Sequence, residues 1–145
     1  MDSSRFIDTA SGWFSGAPSD VESPHVYFKP VRLSPSEKPI LLSEFGGYSY
    51  KPEGHVFNPH NTYGYRFFED REVFENALLT LYEKEILPAI PKGLCGAIYT
   101  QLSDVEDETN GLLSYDRRVV KVDAAKMRAM ADNLKHAITH TALTE

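Results

Sequence analysis

Cysteine is nearly absent from this chain. Its single example, Cys95, excludes an internal disulfide framework and a cysteine-based zinc site. Cys95 sits in the run Gly93-Leu94-Cys95-Gly96-Ala97-Ile98, where it reads as a small buried hydrophobe. Long apolar runs are also missing, and none approaches the roughly 20 residues of a membrane span. The first residues, Met1-Asp2-Ser3-Ser4-Arg5, carry no hydrophobic signal segment, so a cytoplasmic setting is expected unless a longer parent protein is exported. Positive charge is scarce as well: 15 Lys and Arg stand against 21 Asp and Glu, a net charge of -6. That balance argues against a nucleic-acid partner, which needs a basic stripe, and gives no reason to expect a membrane surface. No Gly-rich phosphate loop and no Gly-x-Ser-x-Gly elbow occurs.

What is present is an ordinary globular composition, 41% hydrophobic, spread over 145 residues. That length predicts a single domain, 1–145, with its own core. Aromatic residues make up 12%; they suit the C–H faces of sugars, but serve a core equally well. Four short segments predict buried strands: residues 5–10, 25–28, 39–45 and 94–101. Continuous apolar runs such as Ile40-Leu41-Leu42 imply a sheet covered on both faces, as in parallel α/β folds. Apolar residues at Phe74, Ala77, Leu78, Leu81 and Tyr82 predict a helix over 70–87, capped by Asp70 and closed by Pro88 and Pro91. A second helix is predicted over 124–139, capped by Asp123, with Met127, Met130, Leu134, Ala137 and Ile138 on its apolar stripe. Segments 15–24 and 51–61 are rich in turn residues and read as loops.

Polar residues gather after the third and fourth strands. Glu44 closes the third and is followed by Gly46-Gly47, while Gln101, Asp104, Glu106 and Glu108 follow the fourth. In parallel sheets and barrels the chemistry sits at that edge. A carboxylate in such a place is either a reacting group or a cap for backbone N–H groups. Other constellations are weaker. His136 and His140 share a helix face but have no third ligand in view, so no metal is expected. The acidic run lacks a calcium loop's spacing. His55 and His60, near Tyr63 and Tyr65, could line a cleft or simply belong to a surface loop.

Four blocks in order carry a family likeness. They are Ile7-Asp8-Thr9-Ala10-Ser11-Gly12-Trp13-Phe14; Asp20-Val21-Glu22-Ser23-Pro24-His25-Val26-Tyr27; Leu42-Ser43-Glu44-Phe45-Gly46-Gly47; and Tyr99-Thr100-Gln101-Leu102-Ser103-Asp104-Val105-Glu106, with Asn110-Gly111-Leu112 and Tyr115-Asp116-Arg117 after it. Together they resemble the C-terminal half of the catalytic barrel in glycoside hydrolase family two, which includes β-galactosidases and β-glucuronidases. The likeness spans about residues 4–123. It implies an α/β fold, a partial TIM barrel comprising strands five to eight with their helices. It implies retaining hydrolysis of terminal β-glycosides without a cofactor, with a carbohydrate as the substrate. Glu44 matches the nucleophile, and Tyr27 the tyrosine that hydrogen-bonds it. Tyr99 falls where several members carry a tryptophan under the sugar. His25, Trp13 and Gln101 are expected to contact substrate.

A retaining glycosidase needs two carboxyl groups about 5–5.5 Å apart, one to attack and one to shuttle the proton. The family's proton shuttle is a glutamate after an asparagine on strand four. No Asn-Glu pair occurs here; Glu75-Asn76 has the reverse order. Strands one to four are therefore expected to lie outside this chain, and the chain alone to be inactive. Glu106 or Glu108 could stand in, although an acidic solvated loop is the plainer reading. A half barrel exposes strand edges, so pairing with the missing N-terminal half or self-association is expected. The alternative functions are a non-catalytic sugar-binding or assembly module, or a truncated product.

Overall fold

The computed structural model describes residues 4–9, 12 and 18–142. It is a mixed α/β protein with small parallel sheets and two α-helices. In chain order the elements are β1 (His25–Val26), β2 (Ile40–Gly46), β3 (Tyr48–Tyr50), β4 (Arg66–Phe68), α1 (Arg71–Leu81), β5 (Leu94–Thr100) and α2 (Ala124–Ala142). The main sheet has the order β1-β2-β5, parallel throughout. β3 and β4 form a second parallel pair. Among the described residues no helix is long and apolar enough to cross a membrane.

One face of the main sheet is covered by helix. Val26, Ile40, Leu42, Phe45 and Leu94 pack there with Leu81, Ile86 and Ala89. Burying each large side chain fully stabilises by about 1.5–3 kcal/mol. Strict alternation along β2 would send Glu44 to the same side as Leu42, into that core. It does not, because the pairing slips. Leu42 lies opposite Ala97 but Phe45 opposite Tyr99, so β2 carries one extra residue across this step. Phe45 takes the core position and Glu44 turns to the open face, the way a bulge re-aims a side chain. A second slip, between Ile40↔Leu94 and Leu41↔Gly96, leaves Cys95 without an opposite residue. This corrects the expectation of a buried Cys95: it is exposed, its thiol 3.1 Å from the Ile40 carbonyl.

The helices start where the sequence places them. Asp70 Oδ1 accepts the Val73 N–H at 2.9 Å, and Asp123 Oδ1 accepts those of Ala125 and Lys126. The first helical stretch ends differently. After Leu81 the backbone widens into a π turn, Tyr82–Ile86, and then tightens into a 3-10 stretch, Leu87–Lys92. Leu87 N–H reaches back to Tyr82, so Pro88 enters where its missing N–H breaks no α-helical ladder.

The first expected strand is not formed in its described part. Ile7 bonds the loop instead: its N–H goes to Asp20 Oδ2 and its carbonyl accepts from Asp20 N, both at 2.8 Å. With its backbone groups taken up there, 5–9 joins no ladder. The second strand spans only two of its four expected residues. β3 and β4 lie in segments that carry no strand signal.

Candidate functional site

The site forms at the C-terminal ends of β1, β2 and β5, on the face away from the helices. His25 lies opposite Glu44 in the β1–β2 register. Its Nδ1 is 3.1 Å from Glu44 Oε2. The Tyr27 hydroxyl, just beyond β1, donates to the same oxygen at 2.5 Å. Thr100 Oγ1, at the end of β5, is 3.0 Å from that hydroxyl. A phenol has one proton, so Thr100 is the donor in this second bond. Two donors thus converge on Oε2, and no group among the described residues engages Oε1. Glu44 keeps 43% side-chain exposure, His25 only 12%.

Burial, the Glu44 hydrogen bond and the Glu44 charge together push the Tyr27 hydroxyl well above the usual phenol range. It therefore stays protonated, and stays a donor, throughout physiological pH. Behind it Tyr65 stacks ring on ring at 3.9 Å and 8°. Tyr65 is pushed up to about 12, mainly by burial, then by its side-chain bond to Tyr63 and by the charges of Tyr63, Glu44 and Glu108.

The two glycines after Glu44 have specific work. Gly46 and Gly47 have φ of +89° and +63°, where L side chains are strained. A β-carbon on Gly46 would stand 2.3 Å from the Tyr99 ring, and one on Gly47 2.2 Å from the Tyr65 ring. The turn can bring two aromatic rings against the backbone only because both positions lack side chains.

His25, Tyr27 and Glu44 are thus brought together, and Gln101 follows directly on Thr100. Gln101 spends its Nε2 within the protein, 2.8 Å from both Glu108 Oε2 and Asn110 Oδ1. Tyr99 is placed elsewhere. Its ring lies on the helix side, 5.8 Å from that of Phe45, and its hydroxyl donates to the Tyr48 carbonyl. The slip in β2 turns Glu44 to the open face and Phe45 to the other, and alternation along β5 places Thr100 and Tyr99 likewise. Trp13 lies outside the described residues. Thr100 and Tyr65 are site residues that motif spacing does not single out; their one signal is position, directly before Gln101 and in the loop with His55 and His60.

His55 sits apart, its Nδ1 2.9 Å from Asp116 Oδ2. The His136 and His140 rings touch edge to face. Among the described residues no group of three His, Cys, Asp or Glu side chains could hold a metal ion.

Chemically, Glu44 is a carboxylate with one oxygen fixed by two donors and the other without a partner among the described residues. Such a group can attack an electrophilic carbon, accept a proton or accept hydrogen bonds from a ligand. No protein-family model matches the chain, and no curated protein is significantly similar to it.

Proposed function

We propose that this chain is the nucleophile-bearing part of a retaining glycoside hydrolase barrel of the family-two kind. The observation that carries the proposal is the convergence of Tyr27 and His25 on Glu44 Oε2 at the C-terminal edge of a parallel sheet. The order β1-β2-β5 suits consecutive strands six, seven and eight of a (β/α)8 barrel. In this reading Oε1 attacks the anomeric carbon as the glycosidic C–O bond breaks. The departing oxygen takes its proton from a carboxylic acid outside this chain. Water, deprotonated by the same group, then displaces Glu44 from the glycosyl ester. The expected substrates are terminal β-glycosides.

The test is reconstitution. The chain is mixed with a polypeptide carrying strands one to four of such a barrel, and hydrolysis of a chromogenic β-galactoside is followed. Activity is expected only in the mixture, and Glu44→Gln should abolish it. Restored activity that survives Glu44→Gln removes Glu44 as nucleophile.

A second reading, a non-catalytic assembly or sugar-binding module, draws on one observation. The open face of β5 carries Ile98 at 54% exposure, on a strand with a single sheet neighbour, β2, among the described residues. That reading predicts association or saccharide binding that persists in Glu44→Gln, without turnover.

A further inference from the structure

Gln101 looks like a substrate donor by position, but both of its amide protons are committed. Nε2 is 2.8 Å from Glu108 Oε2 and 2.8 Å from Asn110 Oδ1. An amide nitrogen has two protons, so none is left for a ligand. Gln101 instead fixes a second carboxylate. The backbone fixes it too. Glu108 is bridged to Tyr63, Tyr63 N–H donates to the Asp107 carbonyl, and Thr109 N–H donates to the Tyr63 carbonyl. Thr62 and Thr109 join hydroxyls at 2.8 Å.

This lacing sets Glu108 against the segment that carries Tyr65. Tyr65 in turn stacks on Tyr27, the residue that donates to Glu44. Two carboxylates therefore flank one aromatic wall. Among the described residues no Lys or Arg is ion-paired with either of them. Next to Glu108's anchor, Asn110 is fully buried and its Nδ2 has no partner among the described residues.

We infer that Glu108, oriented by Gln101, accepts a hydroxyl of the sugar bound at Glu44 and restricts the site to neutral glycosides. A carboxylate is an acceptor only, so it welcomes hydroxyl donors and repels a uronate. Glu108 is the specificity residue and Gln101 its positioning residue. The inference rests on the proposed role of Glu44.

Two measurements on the chain mixed with the complementary barrel half separate the two ideas. The first is covalent trapping by a dinitrophenyl deoxyfluoro-β-galactoside, whose leaving group needs no acid; it reports on Glu44 alone. The second is titration, followed by NMR, with methyl β-galactoside, its monodeoxy analogues and methyl β-glucuronide. Glu108→Gln is expected to weaken galactoside binding about tenfold or more, the scale of one charge-assisted hydrogen bond. It should weaken one monodeoxy analogue far less, and it should admit the glucuronide. Gln101→Leu should weaken the galactoside in the same pattern. Glu108→Asp keeps the charge and should still exclude the glucuronide, which covers a Gln variant that does not fold. Trapping with unchanged affinities in Glu108→Gln overturns the inference and spares Glu44. A mixture of the wild-type chain with the complementary half that neither traps nor binds overturns both.

Discussion

The ring of Tyr65 occupies the space that a β-carbon on Gly47 would need, 2.2 Å from its Cδ2. The same β-carbon would crowd Tyr27 Cδ1 at 3.1 Å. Gly47 is thus the hinge on which both rings lean, one of them the donor to Glu44. Gly47→Ala must adopt a φ of +63°, a left-handed conformation that costs a residue with a side chain about 1–2 kcal/mol. It must also displace Tyr65. We expect a total loss of about 2–4 kcal/mol from strain and displaced packing, read by urea unfolding. Loss of the Tyr27–Tyr65 contact should show as shifts in both ring spectra. A Gly47→Ala variant with unchanged stability and unchanged ring signals would refute this placement.

Tyr27→Phe removes one proton and little volume. Glu44 Oε2 keeps His25 but loses its shortest bond, and Thr100 loses its acceptor. In the reconstituted enzyme we expect kcat to fall about 10–100-fold, the scale of one charge-assisted hydrogen bond. The melting temperature should change little, since Tyr27 lies at an open edge. A fall in stability without a fall in kcat would make Tyr27 a structural residue.

Lys121 is completely buried, and so nearly is Asp104, with 0% and 1% side-chain exposure and 2.6 Å between Nζ and Oδ1. Nζ also donates to the Tyr50 and Thr109 carbonyls, and Asp104 Oδ1 accepts the Gly111 N–H. One ammonium therefore ties β3 to the loop that bears Glu108. Burial opposes both charges, pushing Asp104 up and Lys121 down, while each partner pulls the other back. Lys121→Met leaves Asp104 buried and unpaired, which costs about 3–5 kcal/mol. Adding Asp104→Leu should recover part of the loss, because no charge is then left inside. The bonds that the ammonium made to the Tyr50 and Thr109 carbonyls stay lost, so the recovery should be incomplete. Equal stability of the single and double variants would count against this account.

Glu75 clasps the two helices. Its carboxylate accepts from Lys126 Nζ and from the Asp123 backbone N–H. The Lys126 bond, ahead of the backbone bond, holds Glu75 below the ordinary carboxylate range despite burial. A lowered folded-state value means the unfolded chain takes up the proton first. The clasp therefore stabilises fully above the unfolded value, about 4.3, and its contribution disappears as pH falls through the lower folded value. Glu75→Gln should be less stable than wild type at pH 7, by less than the Lys121→Met effect. The gap should close progressively below about pH 4. Urea midpoints measured across this range check it; a gap that widens in acid would contradict the sign.

Much of this architecture is legible in the sequence, and the rest is hidden for identifiable reasons. Asp70 and Asp123 announce their helices because a cap is a local interaction over three residues. β2 and β5 show as apolar runs, which predict cover on both faces, whereas the helices cover only one and Ile98 stays exposed on the other. β3 and β4 are three residues each, too short for a period to register, and nothing local reveals that Tyr48 pairs with Arg66. The carboxylate at Glu44 could be picked out, yet its direction could not. Alternation alone buries it beside Leu42, and only the slip against β5 turns it outward. Tyr99 is placed by plain alternation along β5, which sets it with Ala97 on the core side. Gln101, visible as a polar strand end, has its amide taken by residues 7 and 9 positions on, which spacing does not disclose.

Ile98 tests what the open face is for. It lies between Ala97 and Tyr99, which pack on the helix side, and so points the other way, 54% exposed. It shares that face with Thr100 and Glu44, and β5 has a single sheet neighbour, β2, among the described residues. Exposed apolar surface beside open edges favours association. Ile98→Asp should add a charge that no partner surface can desolvate cheaply. The wild-type chain is expected to sediment above its monomer mass, or to join the complementary barrel half on mixing. Ile98→Asp should reduce either association by tenfold or more, a change of about 1.4 kcal/mol, and leave the far-ultraviolet circular dichroism unchanged. A wild-type chain that stays monomeric and ignores the complementary half would show this face to be closed by something within the chain itself, and would remove the partner on which the reconstitution depends.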